Sequence, residues 1–312
     1  MIGGSKRPSR SVLAGRALDI DTAFRSHEPR SAPEAISRTQ RTIGTRPQES
    51  TTVTKTQVTL IQLDNYGPWT VTPEPRREVD LQTMQSRLYA DLSQLVGNRG
   101  GYVFFTRFDN MVAVTNGLDM ADHELIQESV GNRYPVTMSL GVGTGRTPVA
   151  ALEAATEGLQ DAGSAQDEAR REILRGRTVE AEFRSGDDVQ IAHFDVVDAT
   201  GKYTDRLNAF DTFVEIEQAY AELMRYMRRT HDSLSFFVGG DNVIAVCPDL
   251  DVAAYRDAVE HVGEAVDVNL QVGAGRGETA GEAGMAAKHA LERSRTTGDA
   301  VQVGWVDPRP TD

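Results

Sequence analysis

Two stretches of this chain end in the same polar pair, FFTRFDN over 104–110 and FFVGGDN over 236–242. Upstream of each, a β-branched run closes on a further aspartate: VTLIQLDNYG on Asp64 and VQIAHFDVVDATG on Asp195. If each run and the following hairpin are neighbouring strands, Asp195 meets Asp241 and Asp64 meets Asp109 at a sheet edge. Two carboxylates without a thiol or histidine nearby are hard oxygen donors, suited to a Mg²⁺ ion that keeps waters and binds through substrate phosphates. Aspartates at hairpin tips are also ordinary turn formers, but their recurrence in both halves favours ligation. Asp195 and Asp241 are the first choice, because Gly239 and Gly240 let a triphosphate approach where Arg107 and Phe108 stand in the other hairpin. Asp64 and Asp109 are the second choice. Asn242, Asn65 and Asn110 flank these carboxylates, and backbone N–H groups of DNYG or DATG could hold phosphate oxygens. Arg107, Tyr66 and Trp69 either bind base or phosphate from the other half or simply pack their loop.

The elements that must position these residues come in two copies. A shift of 132 residues lays FDN on GDN and VTMSLGVGTGRT (136–147) on VNLQVGAGRGET (268–279), and a shift of 131 sets Asp64 opposite Asp195. Such self-similarity marks an internal duplication. Within each copy, period-2 runs predict strands, and the spacing of Leu81, Met84, Leu88, Leu92 and Leu95 predicts a helix ended by Gly97. The expected class is α+β: two tandem ferredoxin-like βαββαβ domains, each an antiparallel sheet with helices on one face. The expected boundaries are 53–163 and 187–306, joined by a helical connector over 164–186. The glycine-rich GVGTGR and GAGRG fit no phosphate-loop fingerprint and read as tight exits from a strand. His193 reads as core, and Lys288 and Arg276 as surface residues able to reach phosphates.

Composition narrows the partners. Of 33 basic residues only Lys6, Lys55, Lys202 and Lys288 are lysines, and the net charge is −13. So acidic and lysine-poor a surface resembles proteins adapted to high salt and argues against a nucleic-acid partner. No stretch approaches a membrane span, and the single Cys247 permits no internal disulfide, so a cytoplasmic location is expected. Residues 1–52 carry a net charge of +4 and no apolar periodicity. They read as a disordered basic leader, and the folded protein is expected to begin near Val53, where a GTG codon could serve as a start.

GGDN together with FDVVDATG resembles the palm-type core shared by diguanylate cyclases, class III nucleotidyl cyclases and many polymerases. More specifically, IQLDNYGPWTVTPEPRRE, QSRLYADL, FTRFDN, QESVGNRYP, GSAQDE and GGDN in one duplicated chain resemble the archaeal GTP cyclohydrolase III family. That resemblance covers about residues 57 to 300. It implies a tandem palm fold in a homotetramer and a reaction needing two Mg²⁺ ions per site and a monovalent cation such as K⁺. GTP would be hydrolysed at C8 of guanine with the formyl group retained, and its triphosphate cut to a 5′-monophosphate. The product implied is 2-amino-5-formylamino-6-(5-phosphoribosylamino)pyrimidin-4(3H)-one, used for flavin and deazaflavin synthesis. One cysteine and six scattered histidines cannot build the zinc cluster of other GTP cyclohydrolases. The alternatives are a nucleotidyl or diguanylate cyclase, with a 3′-hydroxyl as nucleophile, and a non-catalytic nucleotide-binding sensor.

Overall fold

The first strand of each half is buried on both faces, which decides how the rest packs. A computed structural model describes residues 55–179 and 189–305. The expected leader, the start at Val53 and the remainder of the connector lie outside the described residues. In the first half β1 (Thr56–Leu63), α1 (Tyr66–Val71), α2 (Glu78–Gly97), β2 (Tyr102–Arg107), β3 (Asn110–Val114), α3 (Met120–Gly131), β4 (Met138–Gly145), α4 (Pro148–Gln160) and β5 (Leu174–Gly176) follow in order. The second half repeats the plan: β6 (Val189–Val196), a π-helical turn (Thr200–Thr204), α5 (Ala209–His231), β7 (Leu234–Gly239), β8 (Asn242–Cys247), α6 (Val252–Val266), β9 (Leu270–Gly277), α7 (Ala280–Thr297) and β10 (Val301–Val303). The sheet orders are β2-β3-β1-β4-β5 and β7-β8-β6-β9-β10. Within each sheet only the last strand, β5 or β10, runs parallel to its neighbour.

The helices cover both faces of each sheet, not one as the sequence suggested. In β1, Ile61 and Leu63 pack under α2 and α3 with Leu88, Leu92 and Ile126. Val58 and Leu60, of opposite parity, join α4 in a cluster shared by both halves, with Ile191, Phe236 and Ala283. At its centre Phe104 and Phe236 stack with ring centroids 4.4 Å apart. The two palm-like halves are therefore one compact unit with a common inner layer.

That layer depends on glycine. GVGTG and GAGRG are not strand exits; they lie within β4 and β9, each under a helix. A Cβ on Gly143 would fall on Ala151 O and Ala155 N of α4, and one on Gly275 on Ala287 N and Ala283 O of α7. Both helices begin on a threonine whose hydroxyl accepts a backbone N–H: Thr147 from Ala150 and Thr279 from Glu282.

The expected helical connector is not found over 164–179. Turns lead to β5, where Leu174, Arg175 and Gly176 pair with Leu140, Gly141 and Val142 of β4. Gly176 closes the strand at φ 110°, where a Cβ would strike Val142 O.

Gly143→Ala should lower the unfolding free energy in urea by roughly 1–3 kcal/mol through overpacking. Gly158→Ala, inside α4 with only ordinary contact to Arg175, should raise it by about 0.5–1 kcal/mol.

Candidate active site

Strand register decides which aspartates are equivalent. Gln62 faces Asn110 on β3 and Ser139 on β4, and Asp195 faces Asn242 on β8 and Gln271 on β9. Asn110 and Ser139 correspond to Asn242 and Gln271, so Asp195 corresponds to Gln62 and not to Asp64. The main chain agrees: Asp64 N–H donates to Thr137 O, and its counterpart Val197 N–H donates to Asn269 O, each at 2.9 Å. The pairing of Asp64 with Asp195 slips by two residues. Because two is the strand period, the slip kept every side chain on its face and left the burial pattern silent. Asp109 and Asp241 do correspond, so of the two equivalent positions in each half only the second half carries two carboxylates.

In the second half Asp195 is buried at the end of β6, accepting from Gln271 Nε2 at 2.8 Å and lying 2.8 Å from Arg295 Nη2. Asp241 sits at the tip between β7 and β8, where Gly239 (φ 109°) and Gly240 (φ 67°) make the turn no side chain readily allows. Burial first, and the charge of Asp195 second, hold the Asp241 carboxyl above its ordinary value. His193 is not core: its Nε2 meets Asn242 Oδ1 at 2.9 Å, and burial keeps its pKa low. His193, Gly239, Asn242, Lys288 and Arg295 line a cavity of about 330 Å³. Lys288 and Arg295 stand two turns apart on α7 with Glu292 between them on the same face, and Arg295 joins this wall of the cavity to Asp195.

The first half closes the same place from within. Residues 161–173, which have only 298–300 as counterpart, fold back over the end of β1. Arg170, buried, donates from Nη2 to Gln62 Oε1 at 3.1 Å and sets Nη1 3.7 Å from Asp64. Asp64 accepts from Ser139 Oγ (2.6 Å), Glu172 N (2.8 Å) and Thr137 Oγ1 (2.9 Å). The turn amides are used as well, Asn65 N–H by Ala165 O and Gly67 N–H by Gln166 Oε1. Tyr66 stacks on Trp69 and accepts from Gln85, Trp69 lies under Arg76, and Arg107 pairs with Asp109 at 3.2 Å. These aromatics pack their loop. A wider hollow of about 500 Å³ beside Trp69 and Arg76 contains none of the four aspartates. Arg276 leaves the carboxylates for Asp249 and the Trp305 ring.

Residues 58–306 match the family described as GTP cyclohydrolase III. The chain belongs to that family. It is 71% identical over 250 residues to GTP cyclohydrolase III of Natronomonas pharaonis, covering 80% of this chain and 99% of that protein. Identity to GTP cyclohydrolase III of Methanococcus vannielii is 43% over 247 residues, 79% of this chain and 91% of that one. Among solved structures, a bacterial light-regulated adenylyl cyclase is similar at 11% identity and a TM-score of 0.34, covering 80% of this chain and 85% of that one. Among the described residues no helix is long and apolar enough to cross a membrane.

Sequence reasoning missed Arg295, Gln271 and Arg170. Lys288, Glu292 and Arg295 recur at helical spacing, a signal that could have marked the α7 face. Nothing local distinguishes Arg170 within QDEARREIL.

Asp64→Asn should destabilise the fold by roughly 3 kcal/mol, because it strips a buried guanidinium of its compensating charge. Asp241→Asn should do the opposite. A carboxyl whose folded pKa is raised costs stability when charged, so the cost grows as pH climbs through that window and is absent once the group is protonated. In metal-free thermal unfolding, Asp241→Asn should therefore melt above the wild type at pH 7, with the gain shrinking as pH falls into the carboxylate range.

Proposed function

We propose that this chain is a GTP cyclohydrolase of type III, converting GTP to 2-amino-5-formylamino-6-(5-phosphoribosylamino)pyrimidin-4(3H)-one and two phosphates, with the chemistry in the second half. One water opens the imidazole ring at C8, leaving the formyl group on nitrogen, and one water is used for each phosphate released. The observation that carries this reading is geometric: the register sets Asp195, at the end of β6, opposite Asn242, so that it adjoins Asp241 at the glycine tip, with Arg295 beside it. Two carboxylates brought to one sheet edge are hard oxygen donors that fit Mg²⁺. Among the described residues no three His, Cys, Asp or Glu side chains converge, so further ligands would be waters, main-chain oxygens and substrate phosphates. Two Mg²⁺ ions held there would neutralise the triphosphate and make a bound water a better nucleophile at neutral pH.

The chain's own residues do the rest. Lys288 and Arg295 take phosphate oxygens, Arg295 also balancing Asp195 before the metal arrives. The glycine tip lets the phosphates approach the backbone. His193, neutral at pH 7 and fixed by Asn242, can exchange a proton with water in the cavity. Arg170 makes the first half a support. K⁺ is the monovalent cation this reading includes. A cytoplasmic homotetramer completes the reading, since exposed Phe210, Phe213 and Val214 at the start of α5 leave an apolar patch for a second copy to cover.

Incubation with GTP, Mg²⁺ and KCl should consume guanine absorbance and release two phosphates per GTP without formate. A cyclic or dinucleotide product would instead identify a cyclase, and unchanged GTP a sensor. Asp195→Asn and Asp241→Asn should each cut turnover at least ~100-fold, and the double variant should lose little more, because both act on one site.

A further inference from the structure

Two groups hold the Asp195 carboxylate, and both take hold of the same oxygen. Gln271 Nε2, from β9, donates to Asp195 Oδ2 at 2.8 Å. Arg295 Nη2, from α7, also lies 2.8 Å from Oδ2. Oδ1 carries neither contact, and is the oxygen left for a cation shared with Asp241.

The two holders differ in kind. A guanidinium and a metal cation are both positive and compete for one carboxylate. Arg295 has a second anchor, since its Nη1 donates to Glu292 Oε1 at 2.7 Å, so it keeps a counter-charge when it gives up Asp195. A carboxamide is neutral, and its N–H orients the carboxylate whether or not a cation is bound. Gln271 also stands directly across from Asp195 in the sheet register, where side chains of neighbouring strands meet. The sheet itself therefore aims this contact.

The first half supplies the control. Gln62 and Ser139 face each other there, at the positions of Asp195 and Gln271. Gln62 accepts from Arg170, while Ser139 Oγ turns to Asp64, 2.6 Å away. A long amide thus stands opposite the carboxylate in one half, and a short hydroxyl opposite the uncharged residue in the other.

We infer that Gln271 is a positioning residue for the divalent-cation site: by fixing Oδ2 it holds Asp195 in one orientation, with Oδ1 presented for ligation. It acts only through Asp195, and the inference rests on the reading of Asp195 and Asp241 as the metal pair. Hydrogen-bond partners of this kind are commonly worth about 10- to 100-fold in metal affinity.

The test uses the full chain with Mn²⁺ alone as a spin probe in place of Mg²⁺. Gln271→Met keeps length and volume and removes the donor. It should weaken Mn²⁺ binding, read from the free-ion EPR signal well below the melting transition, by about 10-fold or more, and alter the line shape of the bound ion. Raising Mg²⁺ should restore GTP turnover, with the half-maximal concentration shifted upward by a similar factor. In Asp195→Asn, which has no carboxylate to orient, adding Gln271→Met should change Mn²⁺ affinity by less than about 2-fold. Ser139→Ala, at the mirror position, should lower the melting temperature and leave Mn²⁺ affinity as in the wild type. If Gln271→Met binds Mn²⁺ as tightly as the wild type, or weakens binding equally in the Asp195→Asn background, Gln271 does not position Asp195, while the metal pair stands. If the wild type shows no saturable Mn²⁺ binding, or Asp195→Asn and Asp241→Asn leave it intact, the metal reading itself fails and takes this inference with it.

Discussion

Where α4 crosses β4 and α7 crosses β9, the backbones lie so close that a single methyl group on Gly143 or Gly275 has no room. This close approach sets the rest of the molecule. Glycines at alternate positions lie on one face of a strand, so three of them clear a track along which a helix settles. Small residues such as Ala151, Ala155, Ala283 and Ala287 then complete a thin inner layer. Because that layer is thin, the inner faces of both sheets meet across it and Phe104 reaches Phe236. The end of β6, which carries His193 and Asp195 on the same inner face, consequently opens beside the first half and not into bulk water.

Both halves bring polar groups to that inner face, and each meets the electrostatic cost of burial differently. The first half replaces one carboxylate by Gln62, lays Arg170 across the site and saturates Asp64 with three donors. A buried charge so compensated is structural. The second half keeps Asp195, paired with Arg295, beside Asp241, whose pKa is raised by burial first and by the charge of Asp195 second. Groups whose environment disfavours their charged form are candidates for function. Here a bound cation would favour the ionised form of both carboxylates.

The duplication, the strand and helix order and the hairpin tips were legible in the sequence, because period and turn residues are local signals. The equivalence of Asp64 and Asp195 was misread because strand register is set by partners on β3 and β4, and a two-residue slip leaves the inward and outward pattern intact. The helices on the second face were missed for a related reason. β1 reads TQVTLIQL, alternating enough to suggest one polar face, yet Gln57 and Thr59 are buried with partners in Thr115, Leu118 and His123. Buried polar residues with satisfied hydrogen bonds imitate a solvent face. Arg170 matters only through what folds against it.

A homodimer built from one palm-like domain would have to place every substitution on both sides of its two-fold axis. Arg170 over one site would then close both. Fusing two copies in one chain removes that constraint. The first half can lose its second carboxylate, fill its own site with a guanidinium and retain a rigid α2–β2 wall. The second half can keep its charged tip and the α7 face that carries Lys288 and Arg295.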